Sequence, residues 1–215
     1  MTDESSELDY LIAGYQRFRE IGWEPERDRW AALREGQQPR IMVIACSDSR
    51  VDPAQIFDVN PGEIFVVRNV AALVPPFETT PGHHGVSAAL EFAVQVLKVA
   101  EIVVMGHGKC GGCRAALTDE LRHEPPGSGG FIANWIDMLG DAREPIVEEL
   151  GVTGPAAERA MELAAVKVSL ANLRTFPCVS TKEAKGNLVL RGAYFAISDG
   201  VLHLLDENTG AFSPV

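Results

Sequence analysis

Two short segments of the chain carry the residue types that can bind a metal ion and support chemistry beside it. Residues 46–50 read Cys-Ser-Asp-Ser-Arg, and residues 107–110 read His-Gly-Lys-Cys. Two thiolates and one imidazole, from Cys46, His107 and Cys110, are a ligand set for zinc. Three protein ligands leave the fourth position of a tetrahedral zinc free for a reacting molecule. The pair of segments therefore predicts a zinc site that can be catalytic.

Asp48 and Arg50 stand beside the first cysteine and are close enough in sequence to pair. A guanidinium can bind a carboxylate through two parallel hydrogen bonds, which would hold Asp48 ionised and oriented. Asp48 would then accept a proton from a zinc-bound water, or it would itself fill the fourth position and close the site. Cys113 is a second candidate for closing the site, although a small buried side chain at the start of a helix is the simpler interpretation of Cys113.

Each segment directly follows a run of apolar residues that is typical of a buried strand. The runs are 41–45 and 102–105, both rich in Val, Ile or Met and bounded by polar residues or Gly. If the two strands lie parallel in one sheet, their carboxyl ends meet at one edge, where open α/β sheets place their sites. Each motif alone is weak evidence, and the prediction depends on this coincidence.

The rest of the pattern predicts a single α/β domain. A further buried strand at 64–68 and helices between the strands give the alternation of a parallel sheet with right-handed crossovers. Residues 188–205 predict a β-hairpin, because Asp199-Gly200 is a strong signal for a tight turn.

We divide the chain into an N-terminal helical arm, 1–36, and a zinc-binding α/β domain that includes the C-terminal hairpin, 37–215. Apolar residues recur at helical spacing over residues 7–21, which predicts an amphipathic helix. This helix packs either on its own domain or on a second subunit, and periodicity alone favours neither.

Composition excludes several classes of partner. The 215 residues carry a net charge of −11 with a pI near 4.9, so a nucleic acid or an anionic membrane surface would be repelled. No apolar stretch approaches the roughly 20 residues of a spanning helix. The acidic start lacks the features of a signal peptide, and four cysteines are too few for a disulfide scaffold. We expect a cytoplasmic protein.

Both zinc motifs and several other segments resemble the β-class carbonic anhydrases, in particular their plant-type branch. The similar segments are 37–40, 61–63, 65–69, 73–76 and 88–93, and the resemblance spans roughly residues 8–206. It implies a zinc lyase that reversibly hydrates carbon dioxide to bicarbonate and a proton through zinc-bound hydroxide. It also implies a mixed β-sheet with a parallel core and an antiparallel edge strand, flanked by helices. The implied assembly is a homodimer or dimer of dimers that docks through the N-terminal helix and the sheet.

The resemblance also assigns roles to residues. It implies that Cys46, His107 and Cys110 bind zinc, that Asp48 and Arg50 form the orienting pair, and that substrate is contacted by a further set. The resemblance places Gln37, Phe65 and the backbone of Gly108 in this set, and we add Val70 and Phe92 as our own hypothesis, because with Phe65 they would line a small apolar pocket. Two members depart from the family pattern, since Phe92 stands where Tyr is frequent and Gly108 where Ser is common.

Two other functions use the same ligands. Close relatives of this fold hydrolyse carbonyl sulfide or carbon disulfide, and a closed site would make the chain a non-catalytic zinc-binding protein. A purely structural zinc site would have no use for the Asp48–Arg50 pair or for Gln37. His83 and His84 could relay protons, because imidazole titrates near neutral pH, but exposed loop histidines are the simpler interpretation.

Overall fold

The computed structural model describes residues 6–215, which divide into two units, one ending at Gln38 and the other spanning Pro39–Val215. The first unit holds α1 (Glu7–Phe18), which continues as a π-helical turn to Trp23, and α2 (Arg27–Arg34). Ser6 caps α1, because its side chain accepts the Asp9 N–H while the Asp9 carboxylate accepts the Ser6 N–H. The helix predicted over residues 7–21 is confirmed, as is a second helix that the sequence predicts over residues 26–35.

The second unit is built on one sheet of six strands in the order β2-β1-β3-β4-β5-β6. The strands are β1 (Ile41–Cys46), β2 (Ile64–Asn69), β3 (Glu101–His107), β4 (Val189–Ala196), β5 (Val201–Asp206) and β6 (Ala211–Pro214). β1 to β4 are parallel, whereas β5 is antiparallel to β4 and β6 is antiparallel to β5. The predicted mixed sheet, with its parallel core and antiparallel edge, is confirmed.

Helices cover the sheet and are joined by short irregular segments. They are α3 (Pro53–Ile56), α4 (Gly85–Glu91), α5 (Gly111–Thr118), α6 (Gly130–Ile136), α7 (Gly140–Leu150), α8 (Pro155–Thr175) and α9 (Pro177–Ala184). A π-helical turn extends α4 to Leu97, and 3₁₀ turns lie at Val70–Ala72 and Asp137–Leu139. In residues 6–215 no helix combines the length and the apolar character that crossing a membrane requires.

The sheet is buried because its central strands are apolar on both faces. In β1, Met42 and Ile44 pack into one core layer and Val43 and Ala45 into another on the opposite face. Such two-sided burial explains why β1 and β3 are continuous apolar runs and do not alternate with polar residues. The runs end at Cys46 and His107, so the polar chemistry begins where the sheet ends.

Four features differ from the sequence-based expectation. The sequence predicts a helix from about Arg114 to Leu121, but α5 starts at Gly111, because Cys110 adopts the extended N-cap conformation. The two glycines after Cys110 are poor helix formers and hide this start. α9 and β6 were not predicted. The sequence predicts that Gly140 and Pro145 interrupt the helical stretch 131–150, but α7 continues through Pro145, since Ile146 and Val147 pack on the core around α8.

Candidate metal centre

Adjacent parallel strands bring the two predicted segments together. Cys46 ends β1 and His107 ends β3, and the register pairs Ala45 with Met105, so both side chains emerge at the same edge of the sheet. A tight turn after β3, with Lys109 in the left-handed region at φ 57°, brings the chain back. The next residue, Cys110, follows at the N-cap of α5.

The three predicted ligands form one group of donor atoms. In the described part of the chain, Cys46, His107 and Cys110 are the one set of potential metal ligands whose donor atoms all lie within 4.8 Å of one another. The two Sγ atoms are 4.0 Å apart, which is far from disulfide distance. Zn–S bonds of about 2.3 Å at the tetrahedral angle would place two sulfurs about 3.8 Å apart. The spacing therefore fits zinc.

The imidazole of His107 is oriented as a metal ligand should be. Its Nδ1 lies 2.9 Å from the carbonyl oxygen of Gly108, and its Nε2 is buried without a hydrogen-bond partner among residues 6–215. A hydrogen on Nδ1 that is donated to this carbonyl leaves the Nε2 lone pair free for a cation. A buried polar atom without a partner is unfavourable, and a metal ion bound at Nε2 would remove that cost.

The surroundings of the two thiols favour their protonated form. Their mutual hydrogen bond and burial raise the pKa of Cys46 to about 12. The pKa of Cys110 is also raised to about 12, chiefly by a hydrogen bond with Cys113. A coordinated divalent cation has the opposite effect and deprotonates a thiol outright. Cys113 itself is buried in α5 and lies outside the donor group, as predicted.

Asp48 and Arg50 pair as the sequence predicted. The Arg50 Nε and Nη2 atoms donate to the two Asp48 carboxylate oxygens at 2.9 and 2.7 Å, and the Arg50 backbone N–H donates to Oδ1 at 3.0 Å. The guanidinium holds the pKa of the Asp48 carboxyl well below its usual range. Arg50 also donates to the carbonyl of Lys109 at 3.1 Å, which ties the first segment to the second.

Arg68, near the end of β2, holds the first segment through three hydrogen bonds. Its guanidinium donates to the Cys46 carbonyl at 2.9 Å, to the Asp48 carbonyl at 2.6 Å and to the Asp52 carboxylate at 3.0 Å. From the sequence, Arg68 is predicted only as part of a strand. An arginine that ends an apolar run is unusual, and this is the one sequence signal for its role; the run was predicted as a buried strand, but β2 is the half-exposed edge strand of the sheet.

Glu162, on α8, supports the second segment and was also missed. It is only 4% exposed. Its Oε1 accepts the Cys110 N–H at 3.2 Å, and its Oε2 accepts the Tyr194 O–H at 2.7 Å. A polar pocket of ≈ 280 Å³ opens beside Cys110 and is lined in part by Asp48, Arg50 and Glu162.

The predicted substrate residues are divided between different places. Val70 lies in the layer that contains the metal-site cysteines, against Gly112. Phe65 and Phe92 pack on each other with ring centroids 5.9 Å apart. Phe65 is four residues before Asn69, the residue that pairs with Cys46, which corresponds to about 13 Å along the strand. Within one chain these aromatic rings do not meet the donor group.

The remaining candidate residues are Gly108, Gln37 and the two loop histidines. The Gly108 N–H donates to the carbonyl of Phe195 at 3.0 Å, so a substrate contact by this amide would require that bond to be shared or broken. Gln37 is exposed and belongs to the N-terminal unit. His83 is exposed, and His84 is held in its loop by the Glu78 carboxylate at 3.3 Å.

Known proteins resemble this chain in sequence and in fold. A family model described as carbonic anhydrase matches residues 41–202. Beta carbonic anhydrase 3 of Arabidopsis thaliana is 34% identical over 227 residues, which cover 99% of this chain and 86% of that protein. The structure of the β-carbonic anhydrase CcaA superposes with a TM-score of 0.89 at 30% identity, over 98% of this chain and 93% of the other.

A tetrameric β-carbonic anhydrase of Sordaria macrospora superposes with a TM-score of 0.78 at 25% identity, covering 96% and 98% of the two chains. The match of the family model covers most of the second unit, including both metal-site segments, and hydration of carbon dioxide is the general activity of this family. The chain therefore belongs to the carbonic anhydrase family, in its β class.

Proposed function

We propose that this chain catalyses the reversible hydration of carbon dioxide to bicarbonate and a proton at a zinc ion held by Cys46, His107 and Cys110. The observation that carries the proposal is the group of three donor atoms within 4.8 Å, with the buried Nε2 of His107 free to bind. When bound there, zinc lowers the pKa of a coordinated water from about 15.7 toward 7, which makes hydroxide available at neutral pH.

Asp48 would orient the attacking water by accepting a hydrogen bond from it. The guanidinium of Arg50 keeps the carboxylate ionised at neutral pH and fixes its plane through two hydrogen bonds. An ionised carboxylate in a fixed orientation can accept the water's hydrogen and direct its lone pair toward carbon dioxide. Because both Asp48 oxygens are bound to Arg50, we propose the open form of the site, in which Asp48 is not a ligand.

Val70, Phe65 and Phe92 would supply the apolar surface for carbon dioxide. Val70 belongs to the layer of the metal-site cysteines. Phe65 lies on the edge strand β2, and Phe92 is 43% exposed, so this pair can line a pocket only together with another molecule. We propose that a second copy of the chain, in a homodimer, brings its Phe65–Phe92 pair to the site, and that Gln37 and the Gly108 amide contact the substrate oxygens.

The dimer would form through the N-terminal unit. Leu8, Leu11 and Tyr15 of α1 are each about 60% exposed, which leaves an apolar helix face available for a second copy. The Sordaria macrospora relative is tetrameric, and a dimer of dimers is the corresponding expectation for this chain. The cytoplasmic location stays a prediction.

The test is the rate of carbon dioxide hydration by stopped flow, measured with zinc content on the same samples. Replacing Asp48 by Ala should retain about one zinc per chain and lower kcat by about 10²-fold, the cost of misplacing a reacting group by about 1 Å. The matched control is D141A, which removes an exposed carboxylate of α7 and should change neither value.

A D48A protein with full activity would contradict the role of Asp48, and a natural chain without zinc or hydration activity would contradict the function. Parallel assays with carbonyl sulfide and carbon disulfide test the alternative. Faster turnover on these substrates than on carbon dioxide would assign the site to hydrolysis of carbon–sulfur bonds.

A further inference from the structure

We propose that Glu162 and Tyr194 are positioning residues for the metal ligand Cys110, because Glu162 holds the Cys110 backbone and Tyr194 holds Glu162. The inference rests on the proposed zinc centre and goes beyond it, since neither residue is a ligand or contacts the reacting atoms. In this view the two side chains set where the Cys110 sulfur points, and through it how tightly the centre binds zinc.

Glu162 is placed for this role by its burial. Carboxylates are almost never fully buried unless they are paired, and Glu162 is 4% exposed. Each carboxylate oxygen of Glu162 has one partner, the Cys110 N–H for Oε1 and the Tyr194 O–H for Oε2. α8 therefore carries a buried acceptor that is aimed at the backbone of a metal ligand.

The turn that carries Cys110 needs external support. Lys109 has a φ of 57°, a left-handed conformation that is uncommon for residues other than Gly. Strained turns of this kind persist when surrounding contacts determine them. Arg50 binds the Lys109 carbonyl, Glu158 binds its ammonium at 2.8 Å, and Glu162 binds the next N–H in the chain. Of these three contacts, that of Glu162 is made to the metal ligand itself.

Tyr194 fixes the second oxygen of Glu162. It lies on β4 opposite Gly106 of β3, and the guanidinium carbon of Arg159 stands 3.7 Å from its ring centroid. A Cβ atom at position 108 would come within 2.9 Å of the Tyr194 hydroxyl, so Gly108 leaves the space that the hydroxyl occupies. The metal-site turn and the Tyr194–Glu162 pair are thus fitted to each other.

The experiment measures the zinc dissociation constant by competition with a chelator, and the absorption of the cobalt(II)-substituted protein, which reports thiolate ligation. E162M removes the acceptor for the Cys110 N–H and should weaken zinc binding about 10- to 100-fold, as loss of outer-sphere partners does. E162Q can still accept from Cys110 and donate to the Tyr194 oxygen. It should bind zinc within about threefold of the natural chain.

The matched control is S169A, because Ser169 is also on α8, is fully buried, and bonds the backbone of Ala72 and Val74. S169A should lower the melting temperature of the zinc-free protein and leave the zinc dissociation constant unchanged. E162M should change both, and its cobalt spectrum should lose intensity in the thiolate-to-metal band.

The inference is overturned if E162M is destabilised but binds zinc as tightly as the natural chain, or if S169A weakens zinc binding as much as E162M does. An E162Q protein as weak as E162M would also overturn the hydrogen-bond account. If E162M does not fold, Y194F decides the matter: it should weaken zinc binding severalfold, and unchanged binding refutes the role. A natural chain that binds no zinc would refute the proposed centre instead.

Discussion

Replacing Arg68 by Met should loosen the segment that carries Cys46 and Asp48. The guanidinium of Arg68 makes three hydrogen bonds, two of them to the backbone carbonyls of these residues. Met retains much of the apolar stem and volume but supplies no donor. Both carbonyls would then have to bind water, and the backbone between Cys46 and Asp48 would gain freedom.

The structure allows the size of the effect to be worked out. A hydrogen bond from a charged donor is worth about 1.5–3 kcal/mol when buried, and less where water competes. The Arg68 side chain is 27% exposed and its Asp52 partner 40% exposed. We therefore expect a loss of about 3 kcal/mol in total, well below the sum of three buried bonds. For a chain of this size this corresponds to a fall of about 6–12 °C in Tm.

The assay is denaturant unfolding of the zinc-free protein at fixed protein concentration, followed by zinc titration of the folded variant. R191M is the matched control, because Arg191 makes one 3.3 Å contact with Glu101 and is 57% exposed. R191M should change the free energy of unfolding by no more than about 0.5 kcal/mol. If R68M were as stable as R191M and bound zinc equally well, Arg68 would not hold the segment as argued.

Further predictions concern zinc binding, the titration of Asp48 and the packing around two glycines. Zinc at 100 times its dissociation constant should stabilise the zinc-free protein by about 2.7 kcal/mol in a melting assay. C178S should bind zinc as tightly as the natural chain does, since Cys178 lies outside the donor group. Because the folded pKa of Asp48 is lowered, its contribution to stability is present above the unfolded pKa of about 3.9 and is lost as the pH falls through the folded value. The stability difference between D48N and the natural chain should therefore be constant from pH 6 to 8 and shrink below about pH 4, and a difference that grows on acidification would contradict this sign. In G106A the added Cβ would lie 2.7 Å from Val166 Cγ2, which should lower the free energy of unfolding in urea by about 1–3 kcal/mol. G140A is the control and should not destabilise the chain, because no described atom lies within 4 Å of its new Cβ.

Most of what positions the ligands could be predicted from local sequence patterns. The apolar runs before Cys46 and His107 identify buried strands because a parallel strand is covered on both faces. The Asp-Gly pair identifies the hairpin because its turn conformation favours these residues. These signals lie within a few residues of what they specify.

The residues that were missed act over long distances in the sequence. Arg68 reaches back 22 residues to the Cys46 carbonyl, and Glu162 is 52 residues from Cys110. No local pattern marks a side chain that bonds a distant backbone group. The Phe65–Phe92 pair illustrates the same limit, because its distance from the donor group depends on strand register.

The supporting contacts of the metal centre follow one electrostatic rule. Arginines bind the carbonyls of its two segments: Arg68 takes those of Cys46 and Asp48, and Arg50 takes that of Lys109. A carboxylate, Glu162, binds the N–H of the second cysteine. Hydrogen bonds that involve a charged group are stronger than those between neutral groups. Charged side chains can therefore hold the backbone just beyond the end of a sheet, where hydrogen bonds between strands no longer do so. Because these side chains hold the backbone and do not bind the metal, their loss should weaken zinc binding only partly, whereas loss of a ligand should abolish it.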